Sequence, residues 1–369
     1  MTTTASHPTL AEVISVLEQM YDPFWARDWD AVGLVCGDPQ APVRRVLMAV
    51  DPAPTVVEEA LAWHADLVLT HHPLLFRAVH GVPTSTPKGR IVHQLIRANC
   101  ALYTAHTNAD VAAPGVSDAL ARVLGLTDLV PLSPDPTEPL DRIVAFARSE
   151  IVGNVVDAVV TAGATTAGPF RGGADGDGGA GRERRVEVVS PRAARSGVVA
   201  ALQSVDPEIS HEVYELATSS SPRGIGRIGR LSAPTTLREF AMLVAEALPS
   251  TTQGVRVAGD PTAEVSRVAV CGGAGDSLLD TVRTSGADVY VTADLRHHPA
   301  FDLREHGGDG PPYLVDVAHW ASEWPWLAGA ANRLAGAMEV AGSPIEVLVS
   351  VKCTDPWTFR VPSPGGVVR

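Results

Sequence analysis

Apolar residues recur along the chain in two rhythms, and their alternation predicts an α/β architecture. Residues 8–20 place Leu10, Val13, Ile14 and Leu17 at helical spacing behind Pro8, which suits a first helical position. The run RRVLMAVD (44–51) is short and continuously apolar, as a strand buried on both faces requires. A helix over 55–64 with Thr55 as its cap follows, then the strand ADLVLT (65–70), a helix over 88–98 and the strand CALYTAH (100–106). Strands alternating with helices in this way build a layer with helices packed on a largely parallel sheet.

The last third repeats the order. SRVAVCGG (266–273) reads as a strand, DSLLDTVRTSG (276–286) as a helix, ADVYVT (287–292) as a strand, and YLVDVAH (313–319) as a further strand. ADLVLT runs into His71-His72-Pro73, and ADVYVT is followed shortly by His297-His298-Pro299; TAH-TNAD (104–110) is matched by VAH-WASE (317–323). Two such series in one order point to an internal duplication. Between them, DRIVAFA (141–147), EIVGNVVDAVVTAG (150–163), ERRVEVVS (183–190), PRAARSGVVAALQSV (191–205) and HEVYELA (211–217) alternate strand and helix as an inserted ferredoxin-like α+β module would. The expectation is two similar α/β lobes, 1–127 and 231–369, with that module at 128–230. The tract 168–182 reads as a flexible loop and 219–227 as the linker back; GIG within the linker lacks the flanking strand and helix of a phosphate loop.

Composition narrows the picture. With 369 residues, 45% hydrophobic, and a formal net charge of −13, the chain can bury a large core and does not suit a nucleic-acid backbone. Cys36, Cys100, Cys271 and Cys353 form no CxxC pair, and the first three sit among apolar neighbours as buried thiols do. The start MTTTASHPTLAEV has neither basic region nor long apolar stretch, and no window suits a membrane span, so the expected compartment is the cytoplasm.

The chemistry lies at the strand ends, where open α/β sheets bind ligands. His71, His72, His106 and His319 each follow an apolar strand run. Adjacent His71 and His72 point apart on an extended segment, so two ions, each taking one of them, is the easier geometry. His319 and Glu323 share a face if a helix begins after the strand, and one glutamate can bridge ions about 3.5–4 Å apart. Asp110, four residues after His106, can complete a shell. Imidazole with carboxylate suits Zn, Fe or Mn, and five ligands for two divalent ions leave positions open, as a catalytic site does. Against this stands the plain reading of each strand-end histidine as a hydrogen-bonded or surface residue. Trp320, Trp324 and Trp326 can stack a base or simply pack their helix, and Arg296 can meet an anion or be solvated. The tail KCTDPWTFRVPSP (352–364) receives no role.

The motifs DWDAVGLVCGDP (28–39), LTHHPLLF (69–76), YTAHTNAD (103–110), VAVCGGAGDS (268–277), DVYVTADLRHHPAFD (288–302) and VDVAHWASE (315–323) together resemble the GTP cyclohydrolase I type 2 homologue family, also called NGG-interacting-factor-three-like. The resemblance implies a dinuclear metal cleft between two lobes and a homohexameric ring. It implies that His72 and Asp110 hold one divalent ion, that His71 and His319 hold the other, and that Glu323 bridges them. It places His106 beside the pair and has His298 line the cleft from the second lobe; these two are the candidates for moving protons. The chain has Asp30-Ala31 where the family often has Asp-Asn, and GPFRGGADGDGG is shorter than the usual stretch of the inserted module.

Three functions follow. A metal-dependent hydrolase would use water acidified to hydroxide by the ions, with opening of the purine imidazole ring of GTP as the candidate reaction. A non-catalytic metal-binding or regulatory protein would use the ions for stability or trafficking. An interaction protein built on the ring is the third. The expected partners are copies of the chain and a small molecule such as a nucleotide, with neither membrane nor nucleic acid.

Overall fold

The computed structural model describes residues 7–136, 139–169, 183–216 and 221–361. Two compact units divide the chain, one made of residues up to 135 and from 222 onward, the other of residues 136–221.

The first unit contains two sheets. The five-stranded sheet runs in the order Gly33–Cys36, Ala101–Thr104, Leu67–Thr70, Arg45–Ala49 and Glu346–Val349, parallel except at the Gly33–Cys36 edge. The six-stranded sheet runs Arg256–Ala258, Tyr313–Val317, Val289–Ala293, Glu264–Ala274, Gly224–Thr236 and Thr127–Pro134, with its three central strands parallel. Leu67–Thr70, Ala101–Thr104, Val289–Ala293 and Tyr313–Val317 are buried along their whole length, which explains why they read as unbroken apolar runs. One apolar cluster joins both sheets, from Leu69 and Tyr103 to Val291 and Val315, through the long helix His319–Val340. Trp320 and Trp326 are buried in that cluster, so these indoles pack the helix. Trp326 donates its indole N–H to the Tyr21 hydroxyl at 2.9 Å.

Local details differ from the sequence reading. The first helix opens at Leu10 with Thr9 as its cap, in a reciprocal capping box with Glu12, so Pro8 lies before the helix rather than at its first position. Ala53 precedes the second helix and Pro54 opens it, so Thr55 lies inside. Cys36 is half-buried, whereas Cys100 and Cys271 are buried. Residues 128–135 and 222–230, expected in the inserted module, belong to the first unit: Thr127–Pro134 pairs antiparallel with Gly224–Thr236, and Arg227 is buried with Asp118 at 2.8 Å. Prolines and a Gly-rich stretch masked the strand character of both segments.

The second unit runs Leu140–Arg148, helix Val152–Thr161, Thr166–Pro169, Glu183–Pro191, helix Arg195–Val205 and Ser210–Glu215. Its sheet order is second, third, first, fourth strand, with antiparallel neighbours. Ile143, Val155, Val159, Val186, Val188, Val198 and Leu202 form its core. The expected flexible loop falls largely on residues 170–182, outside the described residues, as does the start of the linker at 219–220. Among the described residues, no helix is long and apolar enough to cross a membrane.

Candidate metal centre

Five parallel strands, three in one sheet and two in the other, each deliver a polar residue to one place within two positions of their last one. Asp51 follows Arg45–Ala49, His71 and His72 follow Leu67–Thr70, and His106 follows Ala101–Thr104. Asp294 follows Val289–Ala293, and His319 follows Tyr313–Val317. Apolar strand interiors thus carry polar groups to the crevice at their carboxyl ends. His319 opens its helix, and one turn later Glu323 points the same way.

Glu323 is the hub. Its Oε1 lies 3.0 Å from His319 Nε2 and 3.4 Å from His71 Nε2, and its Oε2 lies 3.1 Å from His72 Nε2. Asp110 Oδ1 is 3.6 Å from His71 Nε2. His106 stands beside them, its ring centroid 5.2 Å from that of His71 and 5.6 Å from that of His72. Among the described residues, two overlapping groups have ligand atoms close enough to share an ion: His71, His72 and His106, and His72, His319 and Glu323. His298 is not brought there. It is exposed on the first turn of helix His297–Gly307, and its described ring contact is with His297. Arg296 is paired with Asp276.

Each imidazole is held from behind. His71 Nδ1 lies 2.9 Å from the Ala105 carbonyl, which only accepts, so Nδ1 bears the proton and the Nε2 lone pair faces the cluster. The Nδ1 atoms of His72, His319 and His106 lie 2.7, 2.7 and 2.8 Å from Asp51, Asp294 and Asp30. Sequence reasoning missed these three carboxylates. The signal was present for two of them, because Asp51 and Asp294 also stand at strand ends.

The electrostatics follow from burial around one carboxylate. Burial opposes the charge on His72 and His319, but Glu323, with Asp51 and Asp294 behind, overrides it and lifts their pKa values to about 10 and about 11. Burial opposes the charge of Glu323 as well, yet the three histidines hold its pKa well below the usual carboxylate range. Burial raises the pKa of Asp110 despite His71 and His106 nearby.

The residues fit a cation. Among the described residues, His71 Nε2 is buried with no hydrogen-bond partner. Orphaned polar atoms of this kind call for a ligand that accepts lone pairs. Gly273 guards the space: at φ +70°, a Cβ there would stand 2.4 Å from Glu323 Oε1 and 3.1 Å from His319 Nε2. Alongside is an open cleft of 370 Å³ lined by His72, Phe76, His106, Asp294, His319 and Trp357, among others.

Fold and cluster therefore define an α/β protein with a histidine–carboxylate centre suited to divalent metal. More specifically, the chain belongs to the Duf34/NIF3 (NGG1p interacting factor 3) family, which matches residues 8–356. It is 47% identical to the GTP cyclohydrolase 1 type 2 homolog of Mycobacterium bovis, over 95% of this chain and 97% of that protein. The Bacillus subtilis protein of the same name is 31% identical over 94% of this chain and 98% of its own length. Among solved structures, a Bacillus cereus protein related to NIF3 aligns with a TM-score of 0.76 at 32% identity, covering 96% of this chain and 99% of that one. A Staphylococcus aureus protein aligns with a TM-score of 0.81 at 27% identity, with the same coverage.

Proposed function

We propose that this chain is a metal-dependent hydrolase that holds two divalent ions between two similar α/β lobes. His72 and Asp110 would hold one ion, His71 and His319 the other, and Glu323 would bridge. The observation that carries the reading is the division of Glu323, with Oε1 toward His71 and His319 and Oε2 toward His72. Ions at these positions would supply Lewis acidity and a water acidified toward neutrality.

The chain's own groups account for the remaining requirements. Asp51, Asp294 and the Ala105 carbonyl orient three imidazoles with Nε2 inward. His106, oriented by Asp30 and lining the 370 Å³ cleft, would take up or release a proton at Nε2 toward a substrate there. The name of the curated relatives makes opening of the purine imidazole ring of GTP the first reaction to test. The strand order of residues 136–221 supports reading that unit as a ferredoxin-like module. Assembly as a homohexameric ring is part of the same proposal; light scattering should give about six times the chain mass of 38.7 kDa.

Elemental analysis of untagged protein should find about two divalent ions per chain. Turnover of GTP or another cyclic-amide or phosphorylated substrate should fall by at least about 100-fold in Glu323→Gln. Bound metal without turnover of any substrate would favour the non-catalytic reading.

A further inference from the structure

The segment after the last strand received no role from its sequence, yet it reaches the metal centre. Strand Glu346–Val349 runs parallel to Arg45–Ala49, with Val349 level with Met48, so the chain beyond it emerges at the same sheet edge as Asp51. Two ties fix its root. Ser350 accepts the Trp324 indole N–H on its carbonyl at 3.0 Å and donates its hydroxyl to Glu59 at 2.5 Å. Trp324 is the neighbour of Glu323 in the long helix, so the root is fastened to the element that carries the hub. Four residues on, the Thr354 hydroxyl donates to Asp51 Oδ2, while Asp51 Oδ1 accepts from His72 Nδ1.

We propose that Thr354 is a positioning residue for the metal centre, clasping the Asp51 carboxylate that sets the orientation of His72. The inference rests on the dinuclear reading above. Its physical basis is that Asp51 is a partly exposed carboxylate, with side-chain exposure of 30%, so nothing in its burial stops it rotating or binding water. Engaging one oxygen from each side fixes the carboxylate plane, and with it the ring that His72 offers through Nε2. Groups directly behind a ligating histidine typically alter metal affinity by about 10–100-fold, and Thr354 stands one bond further out. The segment thereby couples the position of the last strand to one of the two ion positions.

The test uses Co²⁺ added to the intact, metal-stripped protein, followed by its visible absorption and by competition with a chelator. Thr354→Val keeps the side-chain volume and removes the hydroxyl; Thr354→Ser keeps the hydroxyl. Wild-type protein should take up about two Co²⁺ per chain. Thr354→Val should bind one of the two about 3- to 10-fold more weakly and with an altered band, and Thr354→Ser should restore both. A Val variant with wild-type affinities and spectrum, or a Ser variant as weak as Val, overturns the inference while the metal centre stands. Wild-type protein that takes up no Co²⁺ overturns the dinuclear reading and this inference together.

Discussion

At the scale of single residues, the candidate centre depends as much on what stands behind its histidines as on the histidines themselves. Gly273 is a case in point, because it contributes no side chain and must contribute none. Its φ of +70° is left-handed, and the space a Cβ would take belongs to Glu323 Oε1 and His319 Nε2. Gly273→Ala should therefore destabilise the fold by only about 1–2 kcal/mol while reducing bound metal from about two ions per chain to one or none. Thermal melting with elemental analysis measures both; a variant that keeps full metal would show that Glu323 does not need that space. The sequence displayed the ligand candidates because four histidines each follow an apolar strand run, and two of them have an acid four positions on. It hid Asp30, Asp51 and Asp294, because aspartate near a strand end is also what any turn or cap uses. Which aspartate serves a histidine is a fact of three-dimensional pairing, set here by contacts 21, 25 and 76 positions apart.

At the scale of elements, short continuous apolar runs located the buried parallel strands, since strands covered on both faces are apolar throughout. The two antiparallel strands on one side of the six-stranded sheet were harder. Thr127–Pro134 and Gly224–Thr236 contain prolines, glycines and exposed positions, so pairing rather than composition makes them strands. Their pairing has a consequence for the unit between them. Gly224 is in register with Pro134, and the Asp135 N–H donates to the Arg223 carbonyl at 3.0 Å, so the two ends of the first unit already meet where residues 136–221 depart. Among the described residues, none of those in the candidate metal groups comes from 136–221. Replacing 136–221 by a two- to four-residue Gly/Ser turn should leave metal content at wild-type level and shift the melting temperature by no more than about 5 °C. Loss of metal in a folded excision variant would give that unit a part in the centre.

At the scale of the whole molecule, the cluster links stability to pH, and bound metal should offset that dependence. In the metal-free protein, His72 and His319 have pKa values near 10 and 11 against an ordinary 6.5. The folded chain therefore binds more protons than the unfolded chain between these limits. That contribution to stability is fully present below about pH 6.5 and is lost as pH rises through 10 to 11. Divalent ions compete for the same Nε2 atoms, so their affinity rises as protons leave, and a bound ion stabilises only the folded state. At an ion concentration 100 times the dissociation constant, each site adds about 2.7 kcal/mol. Melting curves between pH 6 and pH 9 should consequently show the metal-free protein losing stability with rising pH, while the gap between metal-loaded and metal-free protein widens. His106 does not sit on Glu323 but on Asp30, so His106→Ala should leave that widening in place, whereas Glu323→Gln should abolish it. A gap that stays flat across the range would mean that the ions, if bound, do not displace protons from these histidines, and the centre would have to be assigned to other groups.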